Sequence, residues 1–338
     1  KAITIIQLKL EGRLIENHPE YQMNHQIWLK QIDFDNKIVK LKNQIYQLSD
    51  NYFPTVDYNE PLKLTEKEEQ LMKILTASFT HSKRLQQHIE YLYRYGNMYK
   101  IINGNLLFHG CIPLDKSGKL RKVNVDGKDY QGKELLDKFE EKINLAYYQN
   151  NQDAIDLMWY LWCGKNSPLF GKSKLALFEK YFIQESKLIN EIKNSYYKWI
   201  EQEQTCKMIL KCFDLDSNTG HIINGHMPVK TVAGEKPVKA NGRLYVIDGG
   251  ISKSYHSKTG TAGYTLIFDS QHLQLAKHLP YHDLAKDGLM CLTPEVEIME
   301  TNSRIKNRDC DVGKELSRQL QDLKELLFAY RNGIIKEK

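Results

Sequence analysis

The 338-residue sequence predicts an α/β fold with helical segments at both ends, and three observations carry that prediction. Near the start, apolar residues recur at helical spacing: Ile3, Ile6, Leu10 and Leu14, then Leu71, Ile74, Leu75, Leu85, Ile89 and Leu92. In the middle, short apolar runs stop abruptly in glycine-containing loops, as buried strands do. Near the end, Val312, Leu316, Leu320, Leu323 and Leu327 line one face of a helix.

Taken in order, residues 1–104 read as a helical region, broken by a loop over Asn51–Pro61 that carries two prolines. Thr65 is the expected N-cap of the helix that follows, with Glu68 completing a capping box. The tyrosines at 91, 93, 95 and 99 read as packing residues. A second region, 105–293, opens with the strand-like run Asn105–Phe108 that ends in His109-Gly110. An amphipathic helix is expected over Gly132–Tyr147, an apolar stretch over Leu157–Trp162, and further helix over Ser173–Phe182 and Glu201–Phe213. Strands, the first with its exit loop, follow at His221–His226, Arg243–Gly250 and Gly263–Asp269, with Asp269–His272 turning the chain back into Gln274–His278. Residues 294–338 read as a closing helical segment.

Composition is that of an ordinary globular chain, 41% hydrophobic and 27% charged. The net charge of +6 spreads 48 basic residues among 42 acidic ones, without the basic stripe or tail of a nucleic-acid binder. No apolar run approaches a membrane span, and no signal-peptide pattern follows Lys1. A cytoplasmic setting is therefore expected, and Lys1 is expected to mark a fragment or processing boundary. The cysteines at 111, 163, 206, 212, 291 and 310 form no Cys-x-x-Cys pair, which fits buried free thiols better than a zinc knuckle or redox dithiol.

Two histidines share one local pattern. His109 follows Leu106-Leu107-Phe108 and precedes Gly110, and His226 follows Ile222-Ile223-Asn224-Gly225. Each stands where a strand ends, beside a glycine that lets backbone and ligand approach closely. Neutral imidazole at such a place suits a transition-metal ion. On spacing alone, that reading and a hydrogen-bonded structural role stand level.

Longer motifs go further. Phe108–Pro113 resembles the His-Gly-Gly-type metal loop of metallophosphatases related to calcineurin, and Asn224–Val229 resembles their Gly-His-Thr-Pro-Val loop. The stretches Asp156–Lys174, His221–Lys239 and Ala240–Gly263 resemble the class 3 fructose-1,6-bisphosphatases in particular, as do Lys1–Gly12 and Asp311–Gly333. The resemblance implies part of a metallophosphoesterase-type two-sheet sandwich flanked by helices. It also implies a dinuclear, manganese-dependent hydrolase of gluconeogenesis that removes the C1 phosphate of fructose 1,6-bisphosphate. In such sites two cations neutralise phosphate oxygens and lower the pKa of a water that attacks phosphorus in line. His109 and His226 carry over as metal ligands, and Lys165, Lys172 and Lys230 as phosphate-binding candidates.

The family's remaining ligands lie in Asp-x-His, Gly-Asp-x-x-Asp-Arg and Gly-Asn-His-Asp motifs, none of which occurs here. His18, His25 and His81 sit in helical patterns and read as surface residues. The chain is thus expected to carry the carboxyl-terminal part of the family's chain and only part of its metal site. Its expected partner is the missing amino-terminal half or a second copy. Four readings remain open beside that one. Lys230, Lys236 and Lys239 could hold a second phosphate or lie on a solvated hairpin, and Asp248-Gly249-Gly250 could border the site or simply make a turn. The chain could be a non-catalytic binding or oligomerisation module. The substrate could instead be a phosphoprotein or dinucleoside polyphosphate.

Overall fold

Three short parallel strands buried on both faces form the centre of one unit of the fold. The computed structural model describes residues 1–41, 44–183, 185–250, 252–261, 263–279 and 293–335. They divide into two units, Lys1–Met98 with Gly110–Trp199, and Tyr99–His109 with Ile200–Lys338.

In the first unit, helix α1 (Ala2–Asn17) buries Ile5, Ile6, Leu8 and Ile15. Its Gly12 lies against Leu62, too close for a side chain. Strands β1 (Ile32–Asp33), β2 (Ile38–Leu41) and β3 (Gln44–Gln47) form an antiparallel sheet. This region was expected to be helical. Its strands are too short and too rich in polar residues to register as a periodic signal, and the Asp33 carboxylate fixes the first turn by accepting from Asn36 N–H. Helix α2 (Glu66–Thr80) begins as the sequence predicts, with the Thr65–Glu68 capping box formed, and α3 (Lys83–Tyr95) follows it.

Across the rest of this unit, β6 (Val123–Val125) and β7 (Lys128–Tyr130) make a hairpin before α4 (Gly132–Gln149) and α5 (Gln152–Cys163). Ser173–Phe182, expected to be helical, is irregular over 173–176 and helical from 177, widening over Glu179–Ile183. Aromatic side chains pack this segment: Trp28 stacks on Phe178 and Phe53 on Phe182. Short helices α6 (Ser186–Ile189) and α7 (Tyr196–Trp199) complete the unit.

The second unit holds a five-stranded sheet. Its strands are β4 (Tyr99–Ile102), β5 (Asn105–Phe108), β8 (Ile222–Asn224), β10 (Leu244–Val246) and β9 (Val238–Lys239), in that spatial order. The central three run parallel, with Phe108 in register with Asn224 and Asn224 with Val246. Antiparallel β4 and β9 form the two edges. Leu107, Ile223 and Tyr245 share one face and pack against Leu266, Leu273 and Met299 of a second sheet. That sheet is antiparallel: β11 (Gly263–Phe268), β12 (His272–His278) and β13 (Glu295–Thr301). Leu106, Ile222 and Leu244 point the other way and are equally buried. On that face Phe213, at the end of α8 (Glu203–Cys212), meets Tyr99 edge-on. The unit is therefore a two-sheet α/β arrangement whose central strands are buried on both faces.

Helix α9 (Lys253–Thr259) precedes β11, and α10 (Asp311–Arg331) closes the chain. The expected helix from Pro294 starts later, because Glu295-Val-Glu-Ile-Met-Glu-Thr alternates and pairs as β13 instead. Asn103 and Asp311 tie the β4–β5 turn to the start of α10 through two backbone–side-chain hydrogen bonds. Of the cysteines, 111, 163 and 206 are buried free thiols, 212 and 310 are partly exposed, and Cys291 lies outside the described residues.

Candidate active site

Parallel pairing brings the carboxyl ends of β5, β8 and β10 to one edge of the sheet. Beyond the level of Phe108, Asn224 and Val246, the chain carries His109, Gly225-His226 and Asp248. Backbone bonds extend the pairing into this zone: Gly225 N–H donates to His109 C=O at 3.1 Å, and Ile247 N–H to Asn224 C=O at 3.0 Å. Val229 N–H donates to Asp248 C=O at 2.8 Å, which anchors the far end of the His226 loop.

The two histidines converge. His226 Nδ1 lies 3.1 Å from His109 Nε2, with the rings edge-to-face at a 5.0 Å centroid separation. His226 achieves this from a left-handed backbone, φ +65°, a conformation that costs a non-glycine residue free energy and clusters at functional sites. Gly225 itself needs no such freedom. A β-carbon there would stand 3.7 Å from the Asp248 β-carbon and 3.8 Å from His109 Nδ1, ordinary contact distances. Gly110 is different: a β-carbon there would fall 2.1 Å from the Pro168 carbonyl oxygen, so its small size serves packing.

The other candidates are placed less pointedly. Lys165 and Lys172 belong to the first unit. Lys165 is exposed, and Lys172 is paired with Glu191 at 2.9 Å. Lys230 and Lys236 are exposed in the second unit, whereas Lys239 is held by Glu201 at 2.5 Å. His25 and His81 are exposed, as expected, but His18 is not a plain surface residue. It sits between the carboxylates of Glu20 and Asp156 and stacks on Tyr21.

Two imidazole nitrogens 3.1 Å apart can lie side by side on one ion, each about 2.1 Å from it, so the pair fits a shared divalent cation. Among the described residues, no three His, Cys, Asp or Glu side chains converge closely enough to hold one. The pair by itself offers two imidazole nitrogens.

Comparison with known proteins identifies the family. Residues 1–332 match the family model of the Firmicute fructose-1,6-bisphosphatases. The chain belongs to this family. It is 47% identical over 345 residues to the class 3 fructose-1,6-bisphosphatase of Clostridium novyi (strain NT), covering 100% of this chain and 52% of that one. It is 47% identical over 346 residues to the Listeria innocua protein of the same name, covering 100% and 53%. With that of Phocaeicola vulgatus it shares 46% over 347 residues, covering 100% and 52%. The chain therefore spans about half the length of the curated relatives it matches. No solved structure matches it. No described helix is long and apolar enough to cross a membrane.

Sequence reasoning found both histidines of the pair. It did not find their mutual approach, because 117 residues separate them in the chain. Nor did it find the backbone strain at His226, which depends on the folded path of the loop.

Proposed function

We propose that this chain forms part of the active site of a class 3 fructose-1,6-bisphosphatase, which converts fructose 1,6-bisphosphate to fructose 6-phosphate and phosphate. The observation that carries this is the His109–His226 pair at the carboxyl edge of a parallel sheet, in a chain of that family. In this reading His109 and His226 hold one Mn2+ ion of a dinuclear centre, the rest of whose ligands come from elsewhere. Bound there, a divalent cation supplies positive charge to phosphate oxygens and acidifies water. The strained backbone of His226 fixes the direction of its ring in advance, which reduces the ordering cost of binding. Lys230, exposed and four residues further along the chain, is the ammonium assigned in this reading to the sugar bisphosphate's second phosphate. Lys165 is kept as a phosphate contact, and Lys172 only if it leaves Glu191. A cytoplasmic enzyme is the setting in which this reaction and the buried thiols of Cys111, Cys163 and Cys206 belong.

The test is phosphate release from fructose 1,6-bisphosphate with added Mn2+, by this chain with and without the other half of a relative. Release that depends on the added half and disappears with His226→Ala supports a divided metal site. Silence under every condition would sink the catalytic reading.

A second reading has its own observation. Helix α10 leaves Val312, Leu316, Leu320, Leu323 and Leu327 roughly half or more exposed, and α3 leaves Tyr91, Leu92 and Tyr95 so. Apolar faces of this size mark interaction surfaces. We propose that they are covered by the other half of the family's chain or by a second copy, which would make this chain a binding or oligomerisation module even without turnover. Light scattering of the isolated chain decides between these: a stable dimer supports the second copy, and a monodisperse monomer counts against it and leaves the other half of the family's chain.

A further inference from the structure

Helix α10 is fastened to its own unit at its first turn. Asn103 and Asp311 exchange two hydrogen bonds there, and Gly313 packs against the backbone of Asn307. From Lys314 to Tyr330 every residue except Ala329 is exposed. Along this length Leu316, Leu320, Leu323, Leu327 and Tyr330 follow one another at steps of four, three, four and three residues. They are 59%, 54%, 61%, 49% and 44% exposed. Steps averaging about 3.5 residues keep a narrow stripe on the seam between two supercoiled helices. A helix that lies on a protein body carries a wider stripe at period 3.6.

Charge follows the same division. On the side away from the stripe Arg318 pairs with Glu315 at 2.9 Å, and Gln321 donates to Glu325 at 2.8 Å. The charges beside the stripe are Lys324 and Arg331. When two such helices pair in parallel, these stand opposite Gln319 and Leu326, so no like charges meet.

We infer that α10 pairs with the α10 of a second copy of this chain, through the seam Leu316, Leu320, Leu323, Leu327 and Tyr330. The inference rests on the reading of α10 as an interaction surface and chooses one partner for it. A helix exposed on every side over about 25 Å is marginal in water by itself. A stripe this narrow is buried best by a helix with the same repeat, each side chain entering a hole between four residues opposite. An identical helix supplies that repeat. The exposed apolar residues of α3, at 91, 92 and 95, span little more than one turn and offer no such repeat.

Light scattering of the full chain, read as mass against concentration, tests this. The expected mass is twice the 39.5 kDa of one chain. Leu320→Glu and Leu323→Glu should each weaken association at least about 30-fold. Phe328→Glu alters a side chain that is 64% exposed on the far side of the helix, and should leave the dimer unchanged. Near-ultraviolet circular dichroism should match the parent in all three variants, which separates loss of the partner from loss of the fold. A dimer that survives both leucine variants refutes the seam. A monomeric wild type that binds the other half of the Clostridium novyi relative through the same leucines refutes the second copy and leaves the interaction surface standing. A monomer that binds neither refutes both.

Discussion

His18 Nε2 lies 2.9 Å from the Asp156 carboxylate, while His18 Nδ1 lies 2.8 Å from Glu20, so one imidazole is held by two acids at the end of α1. Burial pushes its pKa down, but the hydrogen bonds and charges of Glu20 and Asp156 outweigh this and leave it above the usual histidine value. A raised folded-state pKa means stability that is complete below the unfolded value of about 6.5 and lost as pH rises through the folded value. Thermal unfolding from pH 5.5 to 8.5 should therefore show a midpoint that declines toward alkaline pH. Asp156→Asn should flatten that decline; an unchanged pH profile would show that the imidazole is not charged in the fold.

Lys9 is fully buried, and its ammonium bonds Glu68 at 2.7 Å and the Thr55 carbonyl at 2.5 Å. Glu68 also accepts from Thr65 N–H, so one carboxylate caps α2 and neutralises a cation from α1. Lys9→Met leaves that buried carboxylate without its counter-charge and should cost about 3–5 kcal/mol in urea unfolding. A loss below about 1 kcal/mol would mean that water reaches Glu68 readily.

Glycine substitutions should separate packing from site chemistry. Gly110→Ala drives a β-carbon into the Pro168 carbonyl, a backbone group with no rotamer to yield, and should destabilise by about 1–3 kcal/mol or more. The measurement is the denaturation midpoint set against that of Gly225→Ala, expected to match the wild type.

Strain at His226 predicts an unusual pair of variants. His226→Gly relieves the left-handed backbone and should stay within about 1 kcal/mol of the wild-type stability, or exceed it, while Mn2+ binding falls. His226→Ala keeps the strain and should be the less stable of the two. Equal stability for both, measured by urea unfolding, would show that the φ angle is not strained in solution.

Burial pushes the thiols of Cys111 and Cys206 up to about 12, and both are 1% exposed or less. Alkylation of the native chain at pH 8 should spare them and label the partly exposed Cys310 first, as read by peptide mass spectrometry. Rapid labelling of Cys111 would place it in an open segment rather than the packed interior.

How far the sequence went can be judged residue by residue. It located His109 and His226 at strand ends because a buried strand announces itself locally, through a short apolar run and the glycine that follows. It located the Thr65–Glu68 capping box for the same reason, since every partner lies within four residues. It missed β1–β3, where polar residues interrupt alternation, and β13, whose glutamates hid a strand inside an expected helix. It placed His18 on the surface, because the acid that completes its cage is 138 residues away.

By itself, then, the sequence determined the α/β class, the family and the two histidines, all of which are written in local pattern or contiguous motif. Only the tertiary structure decided that those histidines meet, that Asp248 stands level with one of them, and that Glu68 faces Lys9. Period and capping depend on neighbours along the chain, whereas strand register and side-chain meeting depend on which distant segments win the competition to bury apolar surface together.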